Sequence, residues 1–332
     1  MAKQEESGEE RLIGRLFRPI AKHAGALGLR DDAALVTPPA GHDLVLTVDA
    51  IVAGVHFFPE DPADSVAKKA LRVNLSDLAA KGSQPLGALL SLSMPEATSE
   101  NWLEAFARGL GADCEEFRCP LLGGDMTRTP GPLTISITAI GAVPSGKMVQ
   151  RKGAQAGDAV IVTGSIGDAA LGLLLRREPE RAAFEKLNRA AKAHLADRYL
   201  VPQPRVGLSR ALREHASAAI DVSDGLAGDL MKLAAVSGVG ACIEAKQVPF
   251  SPAARAALAA APGLLELALT GGDDYEIAAT VPENRLKAFQ TAAAGAGIDV
   301  TTIGRIDTGE GVAVIGLDGR PLALRQASFS HF

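Results

Sequence analysis

The sequence predicts an α/β (α+β) fold in two domains, and three observations carry that expectation. Short apolar or β-branched runs alternate with amphipathic stretches along the whole chain. The 332 residues are enough for two domains of ordinary size. Between Ser145 and Asp158 the alternation breaks, where Gly146, Gly153 and Gly157 lie among Lys147, Arg151 and Lys152. A boundary there gives domains of residues 1–148 and 149–332.

Taken in order, Leu44 to Val48 reads as a short apolar strand, Leu86 to Met94 as a longer one, and Thr134 to Val143 as a strand with alternate β-branched residues. Asp64 to Lys81 places Val66, Ala70, Val73 and Leu78 on one helical face, and Ser99 to Phe117 does the same with Leu103, Phe106 and Leu110. Ser99 is placed to cap that second helix, with Trp102 in its first turn. Beyond the boundary, strands are expected at Ala159 to Thr163, Ala218 to Val222, Tyr275 to Val281 and Val300 to Ile306. Helices are expected at Asp168 to Arg177, Arg181 to Tyr199, Leu226 to Ser237, Ala253 to Ala261 and Glu283 to Ala294.

Composition narrows the function. Hydrophobic residues make up 47% and charged residues 22%, an ordinary globular balance, and no apolar run approaches the ~20 residues of a membrane span. Met1 to Glu10 is polar and acidic, unlike a secretory leader, so a cytoplasmic protein is expected. The net charge is −5, and the pairs Lys68-Lys69 and Arg176-Arg177 read as solvated helix faces, which argues against nucleic acid. The three cysteines, Cys114, Cys119 and Cys242, show no CxxC spacing and suit a reducing compartment, as core filling. The six histidines form no zinc pattern. Any metal must be held by carboxylates.

The carboxylates gather at strand ends and glycine turns: Asp31-Asp32, Asp49, Asp77 in Asn74-Leu75-Ser76-Asp77, Asp125 after Gly123-Gly124, Asp221 and Asp224 around Ser223, and Asp273-Asp274 after Gly271-Gly272. Each has an alternative reading as a helix cap or Asx-turn. The Ser-Asp and Gly-Gly-Asp strings recur, however, with gaps of 125 − 77 = 48 and 273 − 224 = 49 positions, which suggests two related halves, each offering two acidic turns. Clustered carboxylates repel one another unless neutralised. Mg²⁺ does this and shares its shell with substrate phosphates, so a polyphosphate held through several Mg²⁺ ions is expected. Gly141 to Met148 comes close to a Walker loop, but Met148 replaces the Ser or Thr and no helix pattern follows. Phosphate handling by metal, without a P-loop, is the reading.

Several of these strings carry a family resemblance. Asp31-Asp32-Ala33-Ala34-Leu35, Thr47-Val48-Asp49, Gly54-Val55-His56-Phe57, Asn74 to Gly82, Gly123-Gly124-Asp125, Arg151 to Asp158, Asp221 to Leu226, Gly271 to Glu276 and Ser330-His331-Phe332 occur in this order. In this the chain resembles the thiamine-phosphate kinases of the aminoimidazole-ribonucleotide synthetase superfamily. The resemblance implies a two-domain fold whose N-terminal ATP- and Mg²⁺-binding domain pairs across a homodimer, with a C-terminal α/β domain completing the active site. It implies transfer of the γ-phosphoryl group of ATP to thiamine monophosphate. By the same resemblance Asp32, Thr47, Asp49, Asp77, Asp125, Asp221 and Asp224 would hold metal, while Gly124, Asp125, Arg151 and Ser223 would contact ATP. His56 and Asp273 would face the thiamine phosphate. The chain departs from the family at Val48, at Arg30, and at Gln326, where an aromatic commonly packs on the thiamine; Phe329 could supply that ring. Another ATP-dependent synthetase of the superfamily and a non-catalytic thiamine-phosphate sensor are the competing readings.

Overall fold

The computed structural model describes residues 8–325 and residue 328, so Gln326 and Phe329 lie outside the described residues. The chain divides into two compact units. One runs to Leu78 and resumes over Gln84–Gly146; the other takes Ala79–Ser83 and the chain from Lys147 onward.

The first unit contains α1 (Gly8–Leu12), β1 (His42–Val52), α2 (Ala63–Ala80, its last two residues counted with the other unit), β2 (Gln84–Met94), α3 (Glu100–Glu116), β3 (Leu121–Arg128) and β4 (Thr134–Pro144). Its sheet has the order β1-β4-β2-β3, with β4 antiparallel to both neighbours and β3 parallel to β2. Successive strand residues point to opposite faces, so β1 buries Val45 and Ile51 and leaves Leu46 and Val48 about three-fifths exposed, at 62% and 60%. Ser99 caps α3 as expected: its hydroxyl accepts the Trp102 N–H. Gly109 on α3 lets the helix approach α2 closely, since a Cβ there would sit 2.5 Å from the Asp64 carbonyl oxygen. The two helices are joined by Arg72, whose guanidinium donates to both oxygens of buried Asp113 at 2.6 and 2.9 Å and lies 4.9 Å from the Phe117 ring.

The second unit carries β5 (Ala159–Thr163), α4 (Asp168–Arg177), α5 (Ala182–Glu185), α6 (Arg189–Leu200), α7 (Ser209–His215), β6 (Ala218–Val222), α8 (Leu226–Ser237), β7 (Gly240–Glu244), α9 (Pro252–Ala260), α10 (Leu265–Thr270), β8 (Glu276–Val281), α11 (Glu283–Gly295), β9 (Val300–Asp307) and β10 (Gly311–Ile315). Its six-stranded sheet has the order β10-β7-β9-β5-β8-β6 and is antiparallel except where β10 lies parallel to β7. Every residue of β5, β6 and β8 is buried, because helices cover both faces. Val160, Val162, Ile220 and Val222 enter one core, while Ile161, Ala219, Ile277 and Ala279 enter the other with Leu208, Leu212 and Phe289.

Four expectations are corrected. The helix expected over Arg181 to Tyr199 is broken, because Asn188 accepts the Ala191 N–H and starts α6 afresh, while Phe184 and Leu187 turn inward from the preceding segment. Asp77 lies within α2, not in a turn, and Gly123-Gly124-Asp125 forms part of β3. The matching strings of the second unit lie in loops, so the repeated motifs do not fold alike and the two sheets differ in size and order. Finally, Lys69 is not on a solvated face; it is 1% exposed. Strands β7 and β10 were not expected from the sequence at all.

Replacing Asp113 with Ala leaves the Arg72 guanidinium buried without its bidentate partner, at a cost of about 3–5 kcal/mol. A urea titration followed by circular dichroism should show the first transition displaced to clearly lower denaturant, and an unchanged midpoint would exclude this role.

Candidate functional site

In the first unit, the face of β1 that meets α2 carries Thr47 and Asp49, two residues apart on the strand. On α2, Asn74 and Asp77 are three apart and so share a helical face. The two pairs interlock: the Thr47 hydroxyl donates to Asp77 Oδ2 at 2.5 Å, and the Asp49 N–H donates to Asn74 Oδ1 at 3.0 Å. Asn74 Nδ2 donates in turn to the Ala70 carbonyl, which fixes the amide's orientation. Thr47 and Asp77 are therefore in direct contact, and Asp49 is tied through its backbone to the same face of α2.

Asp32 and Asp125 belong to a second place. A cavity of about 540 Å³ opens beside the edge strand β3, walled by Phe17, Leu29, Val36, Leu122, Met126 and Ile140. Asp31, Asp32 and Asp125 and the backbone of Gly123 and Gly124 give it a polar side. Gly124 is required by the packing of β3 on β2, since a Cβ there would stand 1.9 Å from the Leu90 carbonyl oxygen. His56 lies in the loop after β1, half-buried, with Nδ1 accepting the Val52 N–H at 3.0 Å.

In the second unit, three loops meet at one end of the sheet. They follow β5 and β6 and precede β8, which runs antiparallel to both. The Asp273 N–H donates to the Ser223 carbonyl at 2.9 Å and the Tyr275 N–H to the Val222 carbonyl at 2.8 Å. Gly272 permits this approach, because a Cβ there would lie 2.4 Å from Ser223 O. Asp273 and Tyr275 both take positive φ, +75° and +49°, a conformation that costs energy in non-glycine residues and concentrates at functional loops. Asp274 reaches to the N-terminus of α4, accepting the Gly167 N–H at 2.7 Å and the Ala169 N–H at 3.3 Å. Glu276 is fully buried and gathers Arg198, Arg205 and the Thr163 hydroxyl around its carboxylate.

Asp221 is buried at the end of β6, and Ser223 and Asp224 follow it. Asp224 is paired with Lys232 Nζ at 2.5 Å, and Lys232 also reaches Asp229 at 2.8 Å. Arg151 stands elsewhere: the Ala219 N–H donates to the Gln150 carbonyl, which places it beside the start of β6. Ser223 follows the other end of that strand, ~13 Å away at about 3.3 Å per residue. Sequence reasoning did not single out Asn74, Lys232 or Glu276, which bond candidate residues or brace the loops that carry them. Asn74 and Glu276 lie inside the quoted strings, whereas Lys232 gave no signal beyond a charge on a helix. Among the described residues, no three His, Cys, Asp or Glu side chains converge closely enough to hold a metal ion alone.

Residues 30–143 match the AIR synthase related protein N-terminal domain, and residues 155–316 match the C-terminal domain of the same family. A thiamine-monophosphate kinase of Caulobacter vibrioides is 46% identical over 306 residues, 91% of this chain and 84% of that protein. The crystal structure of thiamine-monophosphate kinase from Stenotrophomonas maltophilia superposes with a TM-score of 0.83 at 42% identity, covering 95% of this chain and 98% of that one. AaThiL complexed with AMPPCP and TMP superposes with a TM-score of 0.76 at 32% identity, covering 100% of this chain and 99% of that one.

The Asp274 carboxyl is held well above the usual carboxylate range by burial first, with Asp168 adding to the effect and the Gly167 N–H opposing it. Because folding raises this pKa, the stability tied to Asp274 is full in acid and lost as pH rises through the folded value. Urea midpoints of Asp274→Asn between pH 4 and 8 should therefore fall less with rising pH than those of the wild type. Parallel profiles would dismiss the assignment.

Proposed function

The chain belongs to the AIR synthase related family, and we infer from that membership that it is a kinase that phosphorylates thiamine monophosphate with ATP, making thiamine diphosphate. The observation that carries this reading is the near-full-length likeness to thiamine-monophosphate kinases, at 46% and 42% identity. The solved relative that holds AMPPCP and TMP supports both substrates. The acidic loops, which a pure binder would not need, favour a kinase over a sensor.

The cavity beside β3 offers the nucleotide an apolar wall for its base and a carboxylate side for its phosphates. Those carboxylates would repel a bare polyphosphate, so the nucleotide is read as entering with a divalent cation. The donors fit Mg²⁺: Asp32, Asp125, Thr47, Asp49 and Asp77 in the first unit and Asp221 and Asp224 in the second all offer hard oxygens. Each ion would share its shell among these groups, phosphate oxygens and water. When bound, the cation would neutralise charge on the transferring phosphoryl group. Asp224 must then exchange its Lys232 partner for that role.

The acceptor is itself a phosphate whose second pKa is ~6, so it is largely dianionic at neutral pH and attacks in line without a general base. The residues of this chain then have to align and exclude water rather than move a proton. His56 and Asp273 are read as the contacts to thiamine monophosphate, and Gly124, Asp125, Arg151 and Ser223 as those to ATP. For Arg151 the distance along β6 requires its long side chain to reach a different part of the nucleotide from Ser223.

Two further parts belong to this proposal. A homodimer through the outer face of the first unit's sheet is supported by Leu44, Leu46 and Val48, which expose three apolar side chains in a row on β1. A cytoplasmic setting is supported by the free thiols of Cys114 and Cys119, buried in the core.

Three measurements test these readings. Mg-ATP should yield ADP only with thiamine monophosphate present, with thiamine diphosphate identified by mass. Asp125→Asn should lower turnover on the order of 100-fold; full activity in that variant would refute its place at the nucleotide. Leu46→Asp should reduce the mass in solution, measured by light scattering, to that of a single chain, and an unchanged mass would locate pairing elsewhere.

A further inference from the structure

Lys69 is the most deeply buried charged side chain near the proposed substrate loop, at 1% exposure on α2. Burying an ammonium costs several kcal/mol unless it is well partnered, and a methionine would fill the same space without that cost. One of its three N–H donors goes to the His56 carbonyl at 2.9 Å. The loop that this bond closes is compact. The Val55 and His56 N–H groups both donate to the Val52 carbonyl, the Gly54 N–H donates to Phe57 O at 2.8 Å, and Gly54 turns the chain at φ +82°. The His56 ring is folded back on the same turn, with Nδ1 accepting the Val52 N–H. That bond decides the tautomer: a ring whose Nδ1 accepts carries its proton on Nε2 when neutral. His56 is thus fixed by its amide, its ring and its carbonyl. The carbonyl bond ties the loop to α2.

We propose that Lys69 is a positioning residue for thiamine monophosphate, holding the Val52–Phe57 loop so that neutral His56 presents Nε2–H as a fixed donor to the substrate. This rests on the reading of His56 as a substrate contact. The donor suits an anionic oxygen, and its neutrality keeps the Nδ1 bond intact; protonation would set two donors, Nδ1–H and the Val52 N–H, against each other. Lys69 acts through the loop and touches no reacting atom.

The test has a spectroscopic and a kinetic arm. In the ¹⁵N spectrum of the wild-type chain, His56 should show an acceptor-type Nδ1 and a protonated Nε2, and a ring protonated on Nδ1 would overturn the proposal even if no Lys69 variant folds. In Lys69→Met the two nitrogen shifts should move toward a tautomer average, and a spectrum identical to the wild type would equally overturn it. Kinetically, Lys69→Met should raise the KM for thiamine monophosphate about tenfold, with kcat changed less than about threefold and the KM for ATP unaltered. Lys69→Arg, which keeps a charged donor, should recover most of that loss. The double variant Lys69→Met/His56→Ala should be no worse than His56→Ala alone, because one residue works through the other; additive losses would reject the coupling. If His56→Ala alone leaves KM unchanged, the substrate reading of His56 has failed, whereas the ring shifts still judge whether Lys69 fixes it.

Discussion

A helix that buries an ammonium, a guanidinium and a carboxamide has to give each of them a partner, and the first unit is organised around that requirement. Helix α2 buries Lys69, Arg72, Asn74 and Ser76 within eight positions. Water cannot satisfy these groups, so neighbouring elements must come to them. Asp113 brings α3 to Arg72, the Asp49 backbone brings β1 to Asn74, and the loop after β1 comes to Lys69. Each bond is worth little alone beside the cost of leaving it unmade. Together they set the height at which β1 and its loop lie along the helix, and with it the places of Thr47, Asp49, Asp77 and His56.

The second unit meets the same need differently. The buried strands β5, β6 and β8 are largely apolar, and their charged residues, Asp221 and Glu276, lie at one end, where Asp274 takes the amides at the start of α4 and Glu276 takes two arginines. The loops there approach backbone to backbone, which only glycine at position 272 permits. Held in this way, Asp273 is carried in a conformation that a free loop would abandon. The rigidity comes from buried charge in both units, from one helix in the first and from the rim of a sheet in the second.

Much of this was legible in the sequence, and the remainder failed for physical reasons. Strand and helix periods gave β4, β5, β6, α4 and α8 close to their observed limits, and Ser99 announced the start of α3. The glycine pair before Asp125 read as a turn because glycine favours turns, yet here it serves an edge strand that needs bare backbone beside Leu90. Lys69 read as solvated because a charge on a helix usually is; instead it is buried and donates to a loop carbonyl thirteen residues earlier, and proximity across a fold has no local signature. Cluster membership was only partly visible. Thr47 bonds Asp77 and the Asp49 amide is held by the same helix, Asp32 and Asp125 line a separate cavity, and the backbone beside Arg151 lies at the other end of β6 from Ser223. The aromatic expected near Gln326 and Phe329 falls outside the described residues.

The five residues Ala79–Ser83 belong with the second unit although the chain on either side of them belongs to the first. There Ala79 and Ala80 join a core with Leu208 and Leu212, and Lys81 donates to the Ala219 carbonyl at 2.9 Å. During synthesis this stretch leaves the ribosome more than a hundred residues before its partners do. At about 5–20 residues per second it waits several seconds in the middle of an otherwise completed half. A nascent-chain chaperone, or the half-built unit itself, has to shelter those apolar side chains for that interval. For the same reason no single cut in the gene separates the two units cleanly.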